Sequence, residues 1–364
     1  MSLTQITLTG TPYEKGFQHG SQFRAQVMCS LDTYRWRYEH QKKLTWEEAR
    51  RIAGRFKGVF TGEYERYAQE MQGIADGAGL DFEDILALNI RSEILYTSLK
   101  DLPWEADECT AFCALPPATA DGAVLAGQTW DYTRAQREAS FIARIPAEEG
   151  RPAMLLFLEA GMVGGKGVNS AGLCQTLNAL YTTRAAVGVP LFVRGRAILE
   201  QKTLTAAFAR AAAKPVPVSV CLMLTHRDGL SLALELDPDG VDVLQPQDGI
   251  LAHTNHFLGP RMILTHASSS SGSTYIRYQR INQLLKSKQG LTQTDLEGFT
   301  KDHHGFPTSV CAHPDPATPP EKLRYAGSTN YAFVADLAHE RLRFVMGNPC
   351  EGEYEELEWP RENG

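Results

Sequence analysis

Asp107-Glu108-Cys109-Thr110-Ala111-Phe112-Cys113 is the stretch whose reading decides the fold. Before it the chain carries helix caps and helical spacing. After it apolar residues alternate with a period of two, as strands require. Cys109 stands at the changeover. Alternation puts Cys109 and Cys113 on one strand face, so their spacing needs no metal to explain it.

Upstream, residues 4–9 alternate as a short strand. Thr11-Pro12-Tyr13-Glu14 then starts a helix, with Thr11 as N-cap, Pro12 at the first helical position and Glu14 as the capping-box acid. Gly16 and Gly20 each cost about 1 kcal/mol in a helix relative to Ala, which predicts close packing on another element. His19, beside Gly20, reads as a packed or solvated side chain. Thr45-Trp46-Glu47-Glu48 is a second capping box and predicts one long helix to about Ala78, stopped at Gly77-Ala78-Gly79. Asp81 caps a third helix. Asn89, Arg91 and Glu93 near its end read as polar packing between helices. Residues 94–108 read as a loop.

Downstream, strands are expected at 109–115, 123–130, 139–145 and 153–158. Gly164-Gly165-Lys166-Gly167 lacks the spacing of a nucleotide loop and reads as a turn at a strand edge. Helices follow at 190–199 and 204–213, then strands at 218–224, 230–236 and 241–244. His253-Thr254-Asn255-His256 ends a further apolar piece. Residues 268–273 form a Ser-rich linker, and helices at 275–286 and 292–301 come next. Strands at 308–311, 329–336 and 341–346 close the chain. Helices, strands, helices and strands in that order predict an α+β fold with sheets covered by helices.

Composition bounds the function. The 364 residues are 43% hydrophobic and 22% charged, ordinary for a globular chain. A net charge of -7 without a basic run excludes a nucleic-acid partner. No apolar stretch approaches the roughly 20 residues that span a bilayer. No secretory signal is read at the start, so a cytoplasmic location is expected. The cysteines are odd in number, seven, and scattered, which argues against a disulfide framework. No metal is expected either. No second Cys/His pair follows Cys109 and Cys113 at zinc-finger distance, and His253 and His256 have no third ligand nearby in sequence.

Several stretches, in order, resemble the acyl-coenzyme A:6-aminopenicillanic acid acyltransferase family, or isopenicillin-N acyltransferases. They are Gly10-Thr11-Pro12-Tyr13-Glu14 with Gly16 and His19-Gly20; Leu88-Asn89 with Arg91 and Glu93; Asp107 with Cys109-Thr110; Gly127-Gln128 with Trp130-Asp131; Glu159-Ala160-Gly161; Asn169-Ser170-Ala171-Gly172 with Asn178-Ala179-Leu180; and His253-Thr254-Asn255-His256. The resemblance implies an N-terminal-nucleophile hydrolase with a four-layer αββα sandwich. It also implies self-cleavage before Cys109, giving fragments 1–108 and 109–364 that stay associated in one intertwined domain. Two positions depart from the family pattern. Glu108 stands where the family commonly has Gly, and Ala312, in Ser309-Val310-Cys311-Ala312, where the family has a functional Arg.

The chemistry fits such a cut. A thiol at a chain start has an amine on the same residue; that amine, with a pKa of about 7.7–8.0, can take the thiol proton near neutral pH. The catalytic set expected is Cys109 as nucleophile, Asn255 as oxyanion donor and Asp131 orienting amine or thiol. Asp131 is equally readable as a turn acid and Asn255 as a structural asparagine. Thr110 and Asn178 are the substrate-side candidates, with backbone packing for Thr110 and strand bridging for Asn178 as alternatives. The expected partner is a small-molecule amide, with an acyl-thioester donor also admitted; no coenzyme A site is recognisable and no cofactor is expected. Two other readings stay open: a Cys-His hydrolase using Cys109 with His253 or His256 and no cut, and a degenerate fold that binds a ligand without turnover.

Overall fold

The structure, a computed structural model, describes residues 4–95, 108–148, 150–181, 185–265 and 272–362. The short strand β1 (Gln5–Thr7) is followed by α1 (Pro12–Gln22), α2 (Arg24–Arg37), α3 (Trp46–Gly54), α4 (Glu65–Ala78), α5 (Phe82–Asn89) and α6 (Arg91–Leu95). The capping boxes of Thr11 with Glu14 and Thr45 with Glu48 both form, and Asp81 caps α5 with Asp84. The single long helix expected from Trp46 to Ala78 is two helices. After Gly54 the chain passes through short 3-10 turns, takes φ 58 at Gly62, and buries Phe56 and Phe60. Glycine makes that positive φ cheap, and burial of the two rings favours the break.

Gly16 and Gly20 do mark a close approach. A Cβ on Gly16 would stand 1.9 Å from the Glu70 carbonyl oxygen, and one on Gly20 2.2 Å from that of Ile74. On α4, a Cβ on Gly73 would meet the Tyr13 carbonyl oxygen at 2.1 Å. The backbones of α1 and α4 touch where other residues would hold them apart.

Strands then alternate in long runs: β2 (Glu108–Ala114), β3 (Leu125–Thr133), β4 (Ser140–Ile145), β5 (Met154–Glu159), β6 (Lys166–Asn169) and β7 (Leu173–Ala179). Helices α7 (Leu191–Leu199) and α8 (Leu204–Ala212) lead to β8 (Val220–His226), β9 (Leu230–Asp237), β10 (Gly240–Leu244) and β11 (Ile250–His253). After α9 (Pro260–Thr265), α10 (Gly272–Leu285) and α11 (Gln293–Phe299), the strands β12 (Gly327–Asp336), β13 (Arg341–Met346) and β14 (Glu355–Leu357) close the chain. Gly272 and Ser273 of the expected linker belong to α10; the rest of it, like residues 96–107, lies outside the described residues.

Eight strands form one sheet in the order β1-β4-β5-β6-β7-β8-β9-β10, and six form the other, β11-β2-β3-β12-β13-β14. Among the described strands only β1 with β4 pairs in parallel; it stitches a strand from ahead of Cys109 into the larger sheet. β2 and β3 face β7 across the interior, α7 and α8 cover the larger sheet, and α10 and α11 cover the smaller. Along β2, Cys109, Ala111 and Cys113 enter the core between the sheets, while Phe112 and Ala114 pack with Ile281, Leu285 and Leu296 of the outer helices. The fold is the expected α+β, four-layer αββα sandwich.

Elements near the C-terminus also differ from expectation. Residues 308–311 are not a strand. Cys311 N donates to the Asp302 carbonyl and His313 N to that of Pro307, so this backbone is satisfied by its own loop. β14 was not foreseen; its three residues are too few to show a period. No helix among the described residues is long and apolar enough to cross a membrane.

Candidate active site

Cys109 lies one residue into β2, opposite Trp130 of β3, with Glu108 opposite Asp131. Its backbone is clasped from three sides. Cys109 N donates to Asn255 Oδ1 at 2.8 Å. Its carbonyl oxygen accepts from Asn178 Nδ2 at 3.1 Å and Arg277 Nη1 at 2.8 Å. The fold explains the meeting. β11 pairs with β2 and delivers Asn255 two residues past its end, while β7 crosses underneath and supplies Asn178. Asn178 Nδ2 also reaches the His253 carbonyl at 3.2 Å, and Asn255 Nδ2 gives its hydrogen bond to the Ala179 carbonyl at 3.0 Å.

Arg277 was not anticipated. It projects from α10, fully buried, and binds Thr110 Oγ1 at 3.0 Å and Asn255 Oδ1 at 3.1 Å besides the Cys109 carbonyl. Its Nε lies 3.4 Å from Glu108 Oε2. The Glu108 carboxylate also accepts from Ser273 Oγ. Glu108, the acid just ahead of Cys109, is thus paired by α10. A signal existed: Thr274, Arg277, Ile281 and Leu285 are the buried residues of that helix, spaced as one helical face, and an arginine stands inside it.

The thiol faces inward. Cys109, Trp130, Phe157, Lys166, Phe192 and Tyr331 surround a cavity of about 20 Å³, room for about one water. Burial pushes the Cys109 thiol up to about 11, against the Lys166 ammonium and the Asp131 backbone N–H, which favour the thiolate. Lys166 is itself buried, and burial pulls it down to about 8. Its Nζ has no hydrogen-bond partner among the described residues and lies 4.7 Å from the Trp130 ring centroid and 4.9 Å from that of Tyr331. This lysine was read only as part of a turn. Its place in β6, beside the apolar β5, is what the Gly-rich flanks concealed.

On the other side of the Glu108–Cys109 peptide is a cleft of about 860 Å³, walled by Glu108, Asp131, Trp36, Ala312, His313 and Tyr325 among others. Asp131 Oδ1 accepts from Thr329 Oγ1 at 2.6 Å, and its Oδ2 has no partner among the described residues. Burial raises its carboxyl to about 7, opposed chiefly by the Arg277 charge. Asp131 is therefore a buried strand residue rather than a turn acid.

Cys109, Asn255, Asp131, Thr110 and Asn178 are brought together, but not all at a cavity. Thr110 points at α10 and Asn178 bridges strands; neither lines the cleft or the small cavity. The histidines are engaged elsewhere. His253 bonds Glu235 Oε1 through Nε2 and the Thr254 carbonyl through Nδ1, both at 2.8 Å. Burial pushes that ring down, but Cys221 and Glu235 outweigh it and raise it to about 10. His256 Nδ1 sits at 2.9 Å from Thr274 Oγ1, with the ring against Tyr275. A Cys-His pair with Cys109 finds no support in these contacts. His19 is packed, accepting from Gly161 N at 3.0 Å, and burial keeps it neutral, at about 3. Asn89 ties α5 to the Gly161 carbonyl, Arg91 pairs with Glu159 at 2.5 Å, and Glu93 accepts from Leu191 N at 2.7 Å. These three link helices to the loop after β5 and to the start of α7 as well as to one another.

Several known proteins are similar to this chain. The chain is 27% identical over 355 residues to the 40 kDa form of acyl-coenzyme A:6-aminopenicillanic-acid-acyltransferase from Emericella nidulans, covering 95% of this chain and 93% of that protein. Among solved structures, a mutant of conjugated bile acid hydrolase from Clostridium perfringens is 13% identical with a TM-score of 0.46, covering 70% of this chain and 97% of that one. The Caenorhabditis elegans ortholog of N-acylethanolamine-hydrolyzing acid amidase is 14% identical with a TM-score of 0.44, covering 63% and 93%. Residues 118–349 match the family described as acyl-coenzyme A:6-aminopenicillanic acid acyl-transferase, and the chain belongs to that family.

Proposed function

We propose that this protein is a self-processing cysteine amidohydrolase or acyltransferase that works through an acyl-thioester on Cys109. The observation that carries the reading is the clasp on the Cys109 backbone: the atom that a cut would turn into an α-amine is already held by Asn255, and the residue before it, Glu108, lines the large cleft.

In the precursor, Cys109 Sγ attacks the Glu108 carbonyl carbon. The Glu108–Cys109 C–N bond breaks, a thioester forms, and the thiol proton ends on the new amine. Water then hydrolyses the thioester, leaving a Glu108 carboxylate and a free thiol. Fragments 1–108 and 109–364 stay together because β1 pairs with β4 and the core of α1 to α5 is shared with the strands.

In the mature site the thiol loses its proton to the amine of the same residue and attacks a substrate carbonyl. The amine passes that proton to the leaving nitrogen, and water or an acceptor amine resolves the acyl-thioester. Asn255 orients the amine through its oxygen; its nitrogen, now on the Ala179 carbonyl, is the donor assigned to the tetrahedral oxygen. Arg277 and Asn178 are positioning residues that hold the Cys109 carbonyl, and Thr110 orients Arg277. Asp131 presents its backbone N–H to the sulfur and its carboxylate to the cleft. The substrate class is a small-molecule amide, with an acyl thioester as the alternative donor; the name of the Emericella relative supports both groups. A cytoplasmic setting accords with seven cysteines none of which is in a disulfide.

Acid-quenched protein incubated with a panel of small N-acyl amides tests this by mass spectrometry. An acyl adduct on fragment 109–364, absent from Cys109→Ala, is expected. Amide turnover that survives in Cys109→Ala contradicts it.

A further inference from the structure

Four side chains from two separate segments converge beside the cleft. His303, Cys311 and His313 come from the irregular stretch after α11, and Cys350 from the turn after β13. Their ligand atoms all lie within 4.8 Å of one another. His303 Nε2 is 3.1 Å from His313 Nε2, and Cys311 Sγ is 3.6 Å from Cys350 Sγ. His313 Nε2 is 3.6 Å from Cys311 Sγ and 3.3 Å from Cys350 Sγ.

Those spacings have a simple geometric meaning. A tetrahedral zinc ion with Zn–S bonds of about 2.3 Å and Zn–N bonds of about 2.0–2.1 Å spaces its ligands by about 3.8 Å between sulfurs, 3.3 Å between nitrogens and 3.6 Å between the two kinds. These four edges agree to within about 0.3 Å, and the two from His303 to the sulfurs lie within 4.8 Å. We infer that His303, Cys311, His313 and Cys350 form a structural zinc site.

Two thiolates and two imidazoles select a borderline-soft cation over a hard one. Four protein ligands fill the tetrahedron and leave no position for substrate, which makes the site structural. The outer contacts fit as well: His313 Nδ1 faces Glu351 Oε1 at 3.7 Å, and Asn348 Nδ2 stands 3.9 Å from Cys311 Sγ. His303 and Cys350 are exposed, giving the ion a path in.

The site departs from the expectation that the chain holds no metal. That expectation looked for ligand pairs at short sequence spacing, whereas here Cys350 reaches the others only through the sheet. Its place suggests its work. Ala312 and His313 line the cleft that Asp131 also lines, so the ion would pin that wall to the turn after β13.

The test is metal content. Untagged full-length protein from zinc-supplemented medium is expected to carry about one zinc per chain. Cys350→Ser and His313→Ala should hold less than about a tenth of that, and Cys29→Ser, remote from the site, should be unchanged. Cobalt in place of zinc should show the visible bands of a tetrahedral thiolate site. Reduced, zinc-reconstituted wild type that holds no stoichiometric metal overturns the inference. So does metal retained by a variant carrying both Cys350→Ser and His313→Ala, or a Cys311–Cys350 disulfide that forms with zinc present.

Discussion

The amide oxygen of Asn255 lies 2.8 Å from the backbone nitrogen of Cys109, a residue 146 positions earlier in the chain. The contact exists with the Glu108–Cys109 peptide intact. On the proposed mechanism, cutting that peptide would convert an amide N–H into an amine without moving its anchor, and the uncut chain would already hold the geometry that the cut one needs.

Replacing Asn255 separates its two ends. Asn255→Asp keeps an acceptor for Cys109 N and loses the donor nitrogen; Asn255→Ala loses both. The Asp variant is expected to cut itself and to turn over slowly, with kcat down by about 10²–10³, the cost of one oxyanion donor. The Ala variant should fail at both steps. Fraction cut and kcat, measured on the same preparations, distinguish the two.

Arg277 makes three buried hydrogen bonds at the site, and it pairs with Glu108. Arg277→Met leaves the Glu108 carboxylate without that cation and should cost about 3–5 kcal/mol of stability, the usual penalty for breaking a buried pair. Adding Glu108→Gln removes the stranded charge and should restore part of it. Urea unfolding of an uncut Cys109→Ala background reads stability alone; restoration that fails to appear means that Glu108 is not what Arg277 balances.

Asp131 predicts a pH dependence. Its carboxyl, near 7 in the folded chain against an ordinary 3.8, keeps a proton that the unfolded chain has released. The folded state therefore binds more protons between those values, and stability falls as pH rises from about 4 to 7. Asp131→Asn removes that loss. Unfolding curves at pH 5 and pH 8 should show the variant gaining on wild type at the higher pH, while its amide turnover is impaired.

Lys166 is the opposite charge in the same predicament. Burial holds it at about 8, so the unfolded chain binds the extra proton between 8 and its ordinary value of 10.5, and wild-type stability rises with pH across that window. At pH 7 Lys166→Met should be more stable than wild type by about 1–3 kcal/mol, a pKa unit being worth about 1.4. It should also cut more slowly, because the Cys109 thiolate loses its counter-charge. A variant both less stable and faster would remove Lys166 from the account.

Much of this was legible in the sequence because it is local. The caps at Thr11, Thr45 and Asp81 announce their helices, Gly16 and Gly20 announce a backbone contact, and period two from Cys109 announces sheets. Cys109, Asn178 and Asn255 were readable as a set only through their resemblance to a family. What was not legible depends on tertiary meetings. Nothing near Arg277 says that its helix lies over β2, and nothing near Lys166 says that β6 faces Cys109. The histidines and cysteines at 303, 311, 313 and 350 have no spacing that announces a cluster. The break between α3 and α4 was missed because the turn residues Gly58 and Gly62 sit inside an otherwise helical run.

Intact mass of the purified chain under denaturing conditions tests the central claim most directly. Wild type should appear as two pieces, 1–108 and 109–364, and Cys109→Ala as one inactive chain. A wild type that stays whole, with Cys109→Ala equally active on amides, contradicts the account.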